Sequence, residues 1–441
     1  MRDGFPEVPA HIHVSGVGGV GMNAIAQLLL SRGYRVTGSD RFLDQGECLP
    51  VLDALAGLGI SLVPQDGTVI TSDTRALVLS TAVESTNPER VRARALGVPE
   101  VHRAAALAHC VGGGRLVAIA GTSGKTTCTG WLGRVLEVCG LEPTVVNGGG
   151  VLNWKTLTCP GNVRLGADPA GWWVVEVDES DGSLLRFDPE VALITGMSPD
   201  HHSEADTLDL FGRFARKVRK TIVCGPGVKE VLAKTEGIRA ELVSVGGEIA
   251  VDFPGAHNRQ NAASVVAMAE ACGVSREAAC AALAEFSGVE RRLERCSPMG
   301  SGVQVFDDYA HNPEKIAAAI RAVRPSGGGL VACWRPHGFA PLRQNFEALL
   351  AAFAENLRSV DRALILPVFY AGGTAPEGPQ GEDFAEALQA RGVAAQYLDT
   401  YPDRLRLAEG DVLLVMGARD PELPRFAARM GAAARDIGNC G

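Results

Sequence analysis

The sequence predicts an α/β protein of three domains: an N-terminal Rossmann-like domain, a central P-loop-type domain and a small C-terminal Rossmann-like domain. A chain of 441 residues is long enough for about three domains. Short apolar strands alternate with helical patterns, which is typical of parallel sheets. Two glycine-rich loops each follow an apolar strand and precede a helix. We place the domains at residues 1–110, 111–296 and 297–441.

The composition limits the classes of partner. A net charge of −9 argues against general nucleic-acid binding, which requires a basic surface. The 11 cysteines include no Cys-x-x-Cys pair, so free thiols in a reducing cytoplasm are expected. The chain shows no basic and apolar leader and no apolar run long enough to span a bilayer. We therefore expect a cytoplasmic protein without nucleic-acid or membrane partners. We also expect a monomer or a homodimer.

The first glycine loop lies between a strand at residues 11–15 and a helix that begins at Met22. It fits the pattern G-x-G-x-x-G, and Asp40 follows about 20 residues on, as in the dinucleotide fingerprint. The pattern indicates a site for a diphosphate-bearing nucleotide, and the alternative is a tight turn without a ligand. A later strand ends in the hydroxyls of Ser80 and Thr81. The glycines of the loop are Gly16, Gly18, Gly19 and Gly21.

The second glycine loop follows a buried apolar strand at residues 116–120 and precedes a helical pattern. Backbone N–H groups at such a helix start bind phosphate, and the helix dipole favours negative charge there. We expect Lys125 at an exposed loop–helix junction, where it adds a positive charge, and the Thr126 hydroxyl can bind Mg²⁺. The general P-loop pattern has a glycine where Ile119 stands, so a strand–helix turn with a surface lysine is the alternative. The loop and helix start comprise Gly121, Thr122, Ser123, Gly124, Lys125, Thr126 and Thr127.

Acidic residues follow the next buried strand, which begins at Trp172. Four carboxylates beside a phosphate loop repel one another unless a cation is present, which favours Mg²⁺; the alternative is an acidic surface loop. His201 follows a further strand at residues 191–195, where a histidine binds metal or substrate or is only structural. The acids are Glu176, Asp178, Glu179 and Asp181.

Polar side chains also occur in two later regions. A helix has His257, Asn258 and Asn261 in its first turn, where amides can bond a base edge and a histidine ring can stack on it; helix capping by Asn258 is the alternative. In the C-terminal domain, polar residues follow two predicted strands, at the edge where the sites of α/β sheets lie. They are Asp307, His311, Arg335 and His337.

The order of these motifs resembles that of the Mur ligase family, the ATP-dependent amino-acid-adding enzymes of peptidoglycan synthesis. The motifs cover nearly the whole chain and are specific in combination. They lie at residues 16–22, 80–82, 121–127, 176–181, 200–201, 257–261, 291–292 and 307–311.

The resemblance implies binding roles for each region. The first glycine loop would be a UDP-sugar site, with contacts from Gly16, Gly18, Gly19, Gly21, Met22, Asp40, Ser80 and Thr81. Lys125 would hold the phosphates of ATP, and Mg²⁺ would be surrounded by Thr126, Glu176 and His201. The rest of ATP would lie near His257, Asn258, Asn261, Arg292 and Asp307, and the acceptor near His311, His337 and Arg343.

The alanine-adding branch of the family is the most similar one. The resemblance therefore implies ATP-dependent ligation of UDP-N-acetylmuramate to L-alanine through an acyl phosphate. This chain departs from that branch, because Ser123 replaces a histidine, and Gly338 and Pro341 replace two arginines that would pair with the carboxylate of the amino acid. Arg335 and Arg343 are the candidates to substitute for them.

Three alternatives stay open. A ligase that adds a peptide to the same UDP-sugar would explain the missing arginines. A non-catalytic UDP-sugar sensor would tolerate their loss too, although it need not retain Lys125, Thr126 and Glu176. An oxidoreductase with NAD at the first glycine loop and Asp40 leaves Lys125 and Glu176 unexplained.

Overall fold

The chain folds into two compact units with three sheets. The computed structural model describes residues 5–47, 49–197, 203–370 and 377–437. The units are Met1–Asp252 with Arg259–Val289, and Phe253–Asn258 with Glu290–Gly441. The predicted α/β class is confirmed, because largely parallel sheets alternate with helices. The first unit holds two sheets and the second unit holds the third, while the boundaries of the three domains stay predictions.

The first sheet consists of β1 (His11–Ser15), β2 (Arg35–Ser39), β3 (Ser61–Leu62), β4 (Thr74–Leu79) and β5 (Glu100–His102). Its strands are parallel and lie in the order β3-β2-β1-β4-β5. β1 is buried along its whole length, as the central strand of a parallel sheet requires. The first glycine loop follows β1, so it lies at the carboxyl edge of this sheet.

The second sheet consists of β6 (Arg115–Ala120), β7 (Thr144–Val146), β8 (Val163–Arg164), β9 (Trp172–Glu176), β10 (Val191–Ile194), β11 (Thr221–Cys224) and β12 (Glu241–Ser244). The strand order is β12-β11-β10-β6-β9-β7-β8, and β8 runs antiparallel to β7. The apolar run of β6 occupies the centre of the sheet. Because Ile119 pairs with Glu176 and Ala120 pairs with Ile194, the phosphate loop and Glu176 share one edge.

The third sheet consists of β13 (Glu294–Arg295), β14 (Gln304–Asp308), β15 (Leu330–Arg335), β16 (Arg362–Ile365), β17 (Ala395–Tyr397) and β18 (Val412–Gly417). The strand order is β13-β14-β18-β15-β16-β17, with β13 antiparallel at one edge. β18 therefore lies between β14 and β15. Asp308 pairs with Met416 and Arg335 pairs with Gly417, which brings the carboxyl ends of these three strands together.

Helices connect most of the strands. Within the described ranges, every helix is too short or too polar to span a bilayer. The helices are α1 (Val20–Ser31), α2 (Arg41–Asp44), α3 (Pro50–Gly57), α4 (Pro88–Leu96), α5 (Arg103–Val111), α6 (Lys125–Val138), α7 (Glu204–Ala215), α8 (Val228–Leu232), α9 (Ala256–Ala271), α10 (Arg276–Ala282), α11 (Pro313–Ala322), α12 (Phe339–Ala354), α13 (Gly381–Ala390) and α14 (Glu422–Ile437).

One continuous apolar core runs through the first unit and joins the surroundings of its two sheets. Its members include Leu28 of α1, Leu107 of α5 and Val175 of β9. A buried amide cluster reinforces the junction. Asn162 Nδ2 donates to Asn23 Oδ1 (2.6 Å) and to Val20 O (3.0 Å), and Gln27 Nε2 donates to Asn162 Oδ1 (3.2 Å). The two sheets of this unit are therefore packed together by apolar and polar contacts.

Candidate active site

The phosphate loop connects β6 to α6 through two glycines in left-handed conformations, Gly121 (φ +119°) and Gly124 (φ +85°). A Cβ at Gly121 would lie 2.2 Å from Thr195 Oγ1, so this close approach requires glycine. Asn261 of α9 lies beside the loop, with its Oδ1 2.8 Å from the position that a Cβ of Gly124 would occupy. A tight glycine turn that leads into a helix N-terminus is the geometry that binds phosphate groups.

Lys125 folds back over this loop. Its Nζ donates to Gly121 O (2.6 Å) and to Glu179 Oε1 (2.8 Å), and the lysine side chain is only 16% exposed. Burial raises the pKa of Glu179, and the charge of Lys125 opposes this rise. The expectation of an exposed lysine is therefore corrected: Lys125 is a partly buried cation whose position is fixed by an ion pair.

Glu176 ends β9 next to the loop. Its Oε1 accepts a hydrogen bond from Thr126 Oγ1 (3.1 Å), and its Oε2 accepts one from Gly148 N (2.8 Å). A hydroxyl and a carboxylate beside a phosphate loop fit Mg²⁺, which keeps several waters and needs one or two protein carboxylates plus substrate phosphates. His201, the third predicted ligand, lies outside the described residues. In the described ranges, no group of three or more His, Cys, Asp or Glu side chains is arranged to hold a metal ion.

The acids that follow β9 are neutralised by protein cations. Arg103, the first residue of α5, forms ion pairs of 2.9 Å with both Asp178 and Asp181, while Lys125 pairs with Glu179. Repulsion among these carboxylates is therefore no argument for a metal ion. Sequence reasoning missed Arg103, because it comes from a helix beside the first sheet and no local pattern connects it to the acids.

The carboxylate of Asp40 stabilises the first glycine loop through a hydrogen bond. Gly18 N donates to Asp40 Oδ2 (2.9 Å), and Oδ1 of the same buried carboxylate caps α2. Arg103 Nη1 lies 3.8 Å from the position that a Cβ of Gly21 would occupy, so this arginine also borders the loop. Met22 belongs to the apolar core, and Ser80 follows β4 at the same edge of the sheet.

Asp307 and Arg291 form an ion pair in the second unit, with 3.1 Å between Oδ2 and Nε. Asp307 is fully buried, and burial raises the pKa of its carboxyl group to about 7 although Arg291 opposes this rise. Arg291 also donates to Gly417 O (2.6 Å). In the same unit, Asn258 Nδ2 donates to Pro254 O (2.8 Å) and ties the start of α9 to the preceding turn. The predicted nucleotide contacts of Asp307 and Asn258 stay predictions.

His311 and His337 form a half-buried pair at the carboxyl edge of the third sheet. Their rings are nearly perpendicular, with centroids 4.9 Å apart. Burial lowers the pKa of each histidine to about 4, so both are neutral at pH 7. His311 Nδ1 lies 2.8 Å from Tyr309 O, and because a carbonyl oxygen only accepts, this nitrogen carries the proton. Two neutral imidazoles are therefore available for hydrogen bonding.

Arg335 and Arg343, the two candidates to bind the carboxylate of the acceptor, both form hydrogen bonds within the protein. Arg335 Nη1 forms an ion pair of 2.5 Å with the buried Asp420, and Arg335 Nε donates to Pro367 O (3.1 Å). Arg343 Nη2 donates to Glu377 O. Arg335 is thus part of the framework of the third sheet, while the role of Arg343 stays a prediction.

Comparison with known proteins yields consistent matches. A family model described as "Mur ligase family, catalytic domain" matches residues 11–114, and one described as "Mur ligase, glutamate ligase domain" matches residues 291–419. The chain is 34% identical over 457 residues to a UDP-N-acetylmuramate–L-alanine ligase of Burkholderia multivorans, covering 92% of this chain and 95% of that protein. It is 33% identical to a ligase of the same name from Methylocella silvestris, covering 94% and 96%.

Solved structures show the same fold. The chain superimposes on the UDP-N-acetylmuramate–alanine ligase MurC from Thermotoga maritima with a TM-score of 0.78 and 25% identity, covering 97% of this chain and 99% of that one. A murein peptide ligase from Psychrobacter arcticus matches with a TM-score of 0.66 and 20% identity, covering 98% and 99%.

Proposed function

This chain belongs to the Mur ligase family, and from that premise we propose that it is an ATP-dependent ligase joining the carboxylate of UDP-N-acetylmuramate to the amino group of L-alanine. The reaction belongs to the synthesis of peptidoglycan precursors. One observation carries the proposal: Lys125, Thr126 and Glu176 meet at one sheet edge in a chain whose curated relatives of this activity match over 92% of its length. We also propose a cytoplasmic location, where ATP and UDP-sugars are made.

The reaction needs no nucleophile from the protein. A carboxylate oxygen of the muramyl group attacks the γ-phosphorus of ATP, and the bond from this phosphorus to the bridging oxygen breaks, which leaves an acyl phosphate and ADP. The amino group of L-alanine attacks the acyl carbon, loses a proton and displaces inorganic phosphate. Phosphoryl transfer depends mainly on positioning and charge neutralisation, which the loop at residues 121–124 and the charge of Lys125 would supply.

The other contacts are proposed from the family. Mg²⁺, when bound, neutralises phosphate charge, and it would be held by Thr126, Glu176 and His201. The remaining parts of ATP would be bound by His257, Asn258, Asn261, Arg292 and Asp307. The UDP-sugar would be bound at the first glycine loop with Asp40, Ser80 and Thr81, and the acceptor near His311, His337 and Arg343.

A phosphate-release assay tests the proposed function. The protein is incubated with UDP-N-acetylmuramate, ATP and Mg²⁺, and amino acids and short peptides are compared as acceptors. We expect ADP and phosphate in equal amounts, with L-alanine as the best acceptor. A preference for a peptide would identify a recycling ligase instead. Binding of the UDP-sugar without phosphate release from any acceptor would identify a sensor, and either outcome would overturn the proposal.

Gly148→Ala is expected to impair turnover without unfolding the protein. The added Cβ would lie 2.5 Å from Glu176 Oε2, so the carboxylate must turn away, whereas the backbone at Gly148 is not in a left-handed conformation and accepts alanine. A small misplacement in a phosphoryl-transfer site can lower kcat by about tenfold to a hundredfold. Gly246→Ala is the matched control, because its Cβ would meet no atom within 4 Å. Equal kcat values for the two variants would show that turnover does not depend on the position of Glu176.

A further inference from the structure

Three loops meet at the carboxyl edge of the third sheet. His311 follows β14 and His337 follows β15, and their rings are in contact across the end of β18, the strand that lies between them. Gly417, the last residue of β18, pairs with Arg335. Arg419 follows two residues later, and thus lies on the loop that leaves the central strand between the two histidine loops.

Arg419 has a backbone conformation that favours glycine. Its φ is +65°, and Asp420 N donates to Ala418 O (2.8 Å), which closes a three-residue turn with Arg419 at the centre. Non-glycine residues rarely adopt this conformation, which persists only where the surroundings impose it. Asp420 imposes it here, because its buried carboxylate accepts hydrogen bonds from Arg335 and from Glu422 N (2.8 Å). An arginine side chain is therefore displayed at a position where glycine would be easier to accommodate.

The guanidinium of Arg419 is exposed and, among the residues that the structure describes, forms no ion pair or hydrogen bond. Other arginines at this edge are engaged: Arg291 binds Asp307, and Arg335 binds Asp420. Two effects lower the pKa of His337: burial, which is the larger, and the positive charge of Arg419. The charge of Arg419 therefore lies within electrostatic range of this histidine. The edge thus combines an available cation with neutral hydrogen-bonding groups, which suits a small anionic ligand.

We propose that Arg419 binds the carboxylate of the incoming amino acid, in place of the two arginines that Gly338 and Pro341 replace. This inference rests on the proposed function. A guanidinium offers two parallel N–H groups that match a carboxylate, and such a charge-assisted pair compensates for the loss of water around the anion. The neighbouring histidines add hydrogen-bonding capacity without a further charge. An acceptor with a free carboxylate should therefore be preferred over the corresponding amide.

Arg419→Gly is the decisive variant, because glycine removes the guanidinium and relaxes the turn. We expect the KM for L-alanine to rise by at least about tenfold, the usual scale for one lost charge-assisted bond. The KM values for ATP and UDP-N-acetylmuramate should stay unchanged. The KM for L-alaninamide, which has no carboxylate, should be the same in parent and variant. Thermal stability should be equal or higher, since a left-handed backbone suits glycine.

Two further variants complete the experiment. Arg419→Lys should give an intermediate KM for L-alanine, because lysine keeps the charge without the planar fork. Arg406→Ala removes an arginine near Leu330 and Arg362, at the amino ends of the same sheet, and should behave as the parent. An unchanged KM for L-alanine in Arg419→Gly, or an equal rise for L-alanine and L-alaninamide, would overturn the inference. Absence of turnover in the parent with every acceptor would instead overturn the proposed function, and the inference with it.

Discussion

Lys125→Ala is expected to lower kcat on the order of a hundredfold or more, the scale for losing one charge that stabilises a phosphoryl-transfer transition state. The lysine emerges from the start of α6, and its Nζ already lies 2.6 Å from the carbonyl oxygen of Gly121. The charge is therefore held at the loop that would contact the phosphates. The measurement is steady-state phosphate release with UDP-N-acetylmuramate, ATP and L-alanine in excess.

Loss of stability must be separated from loss of catalysis in this variant. Lys125→Ala also removes the cation 2.8 Å from the buried carboxylate of Glu179, so we expect the free energy of unfolding to fall by about 1–3 kcal/mol. The double variant Lys125→Ala with Glu179→Gln removes both charges and should regain most of the stability. Turnover should stay low in the double variant. If turnover returns together with stability, the lysine serves the fold rather than the reaction.

Glu176→Gln should raise the Mg²⁺ concentration needed for half-maximal activity by about tenfold or more, within the range for altered metal sites. Glutamine keeps the shape of the side chain but lacks the negative charge. Thr126 Oγ1 and Gly148 N donate to different oxygens of the carboxylate, whereas glutamine has a single accepting oxygen, so both donors cannot be satisfied in their present positions. The affinity for UDP-N-acetylmuramate should not change.

Glu241→Gln is the matched control for the metal titration. Glu241 is exposed and is the first residue of β12, so it lies at the amino ends of the strands, whereas the phosphate loop lies at their carboxyl ends. The same loss of charge at Glu241 should therefore leave the Mg²⁺ dependence unchanged. Superimposable Mg²⁺ titrations of Glu176→Gln and the parent would show that Glu176 does not bind the ion.

Local sequence predicted the parts of the site that depend on neighbouring residues. The apolar run of β6, the two glycines and the helical period of α6 lie within one short stretch, so strand, loop and helix could be predicted together. The apolar residues of β9 likewise place Glu176 at the carboxyl end of a strand. The short edge strands β8 and β12 were not predicted, because two to four residues carry too little periodicity.

Contacts between distant segments could not be predicted in this way. Arg103 reaches Asp178 only because α5, a helix beside the first sheet, packs against residues 183–186, which follow the acids at the end of β9. Gly148 approaches Glu176 only because β7 pairs with β9. The position of Arg419 depends on β18 inserting between β14 and β15, although these strands are far apart in the sequence. Each of these contacts can be recognised only in the tertiary fold, whereas the motifs can be recognised in the sequence alone.

The shared interior of the first unit has a consequence for how this protein melts. Separating its two sheets would expose Leu28, Leu107 and Val175 to water and strip the amide of Asn162 of its buried partners. Partial unfolding of one sheet alone is therefore unfavourable, and we expect the two sheets to unfold together in one cooperative thermal transition. A cavity created beneath the first glycine loop would thus depopulate the ordered phosphate loop as well, although nearly a hundred residues of chain lie between Leu28 and Lys125.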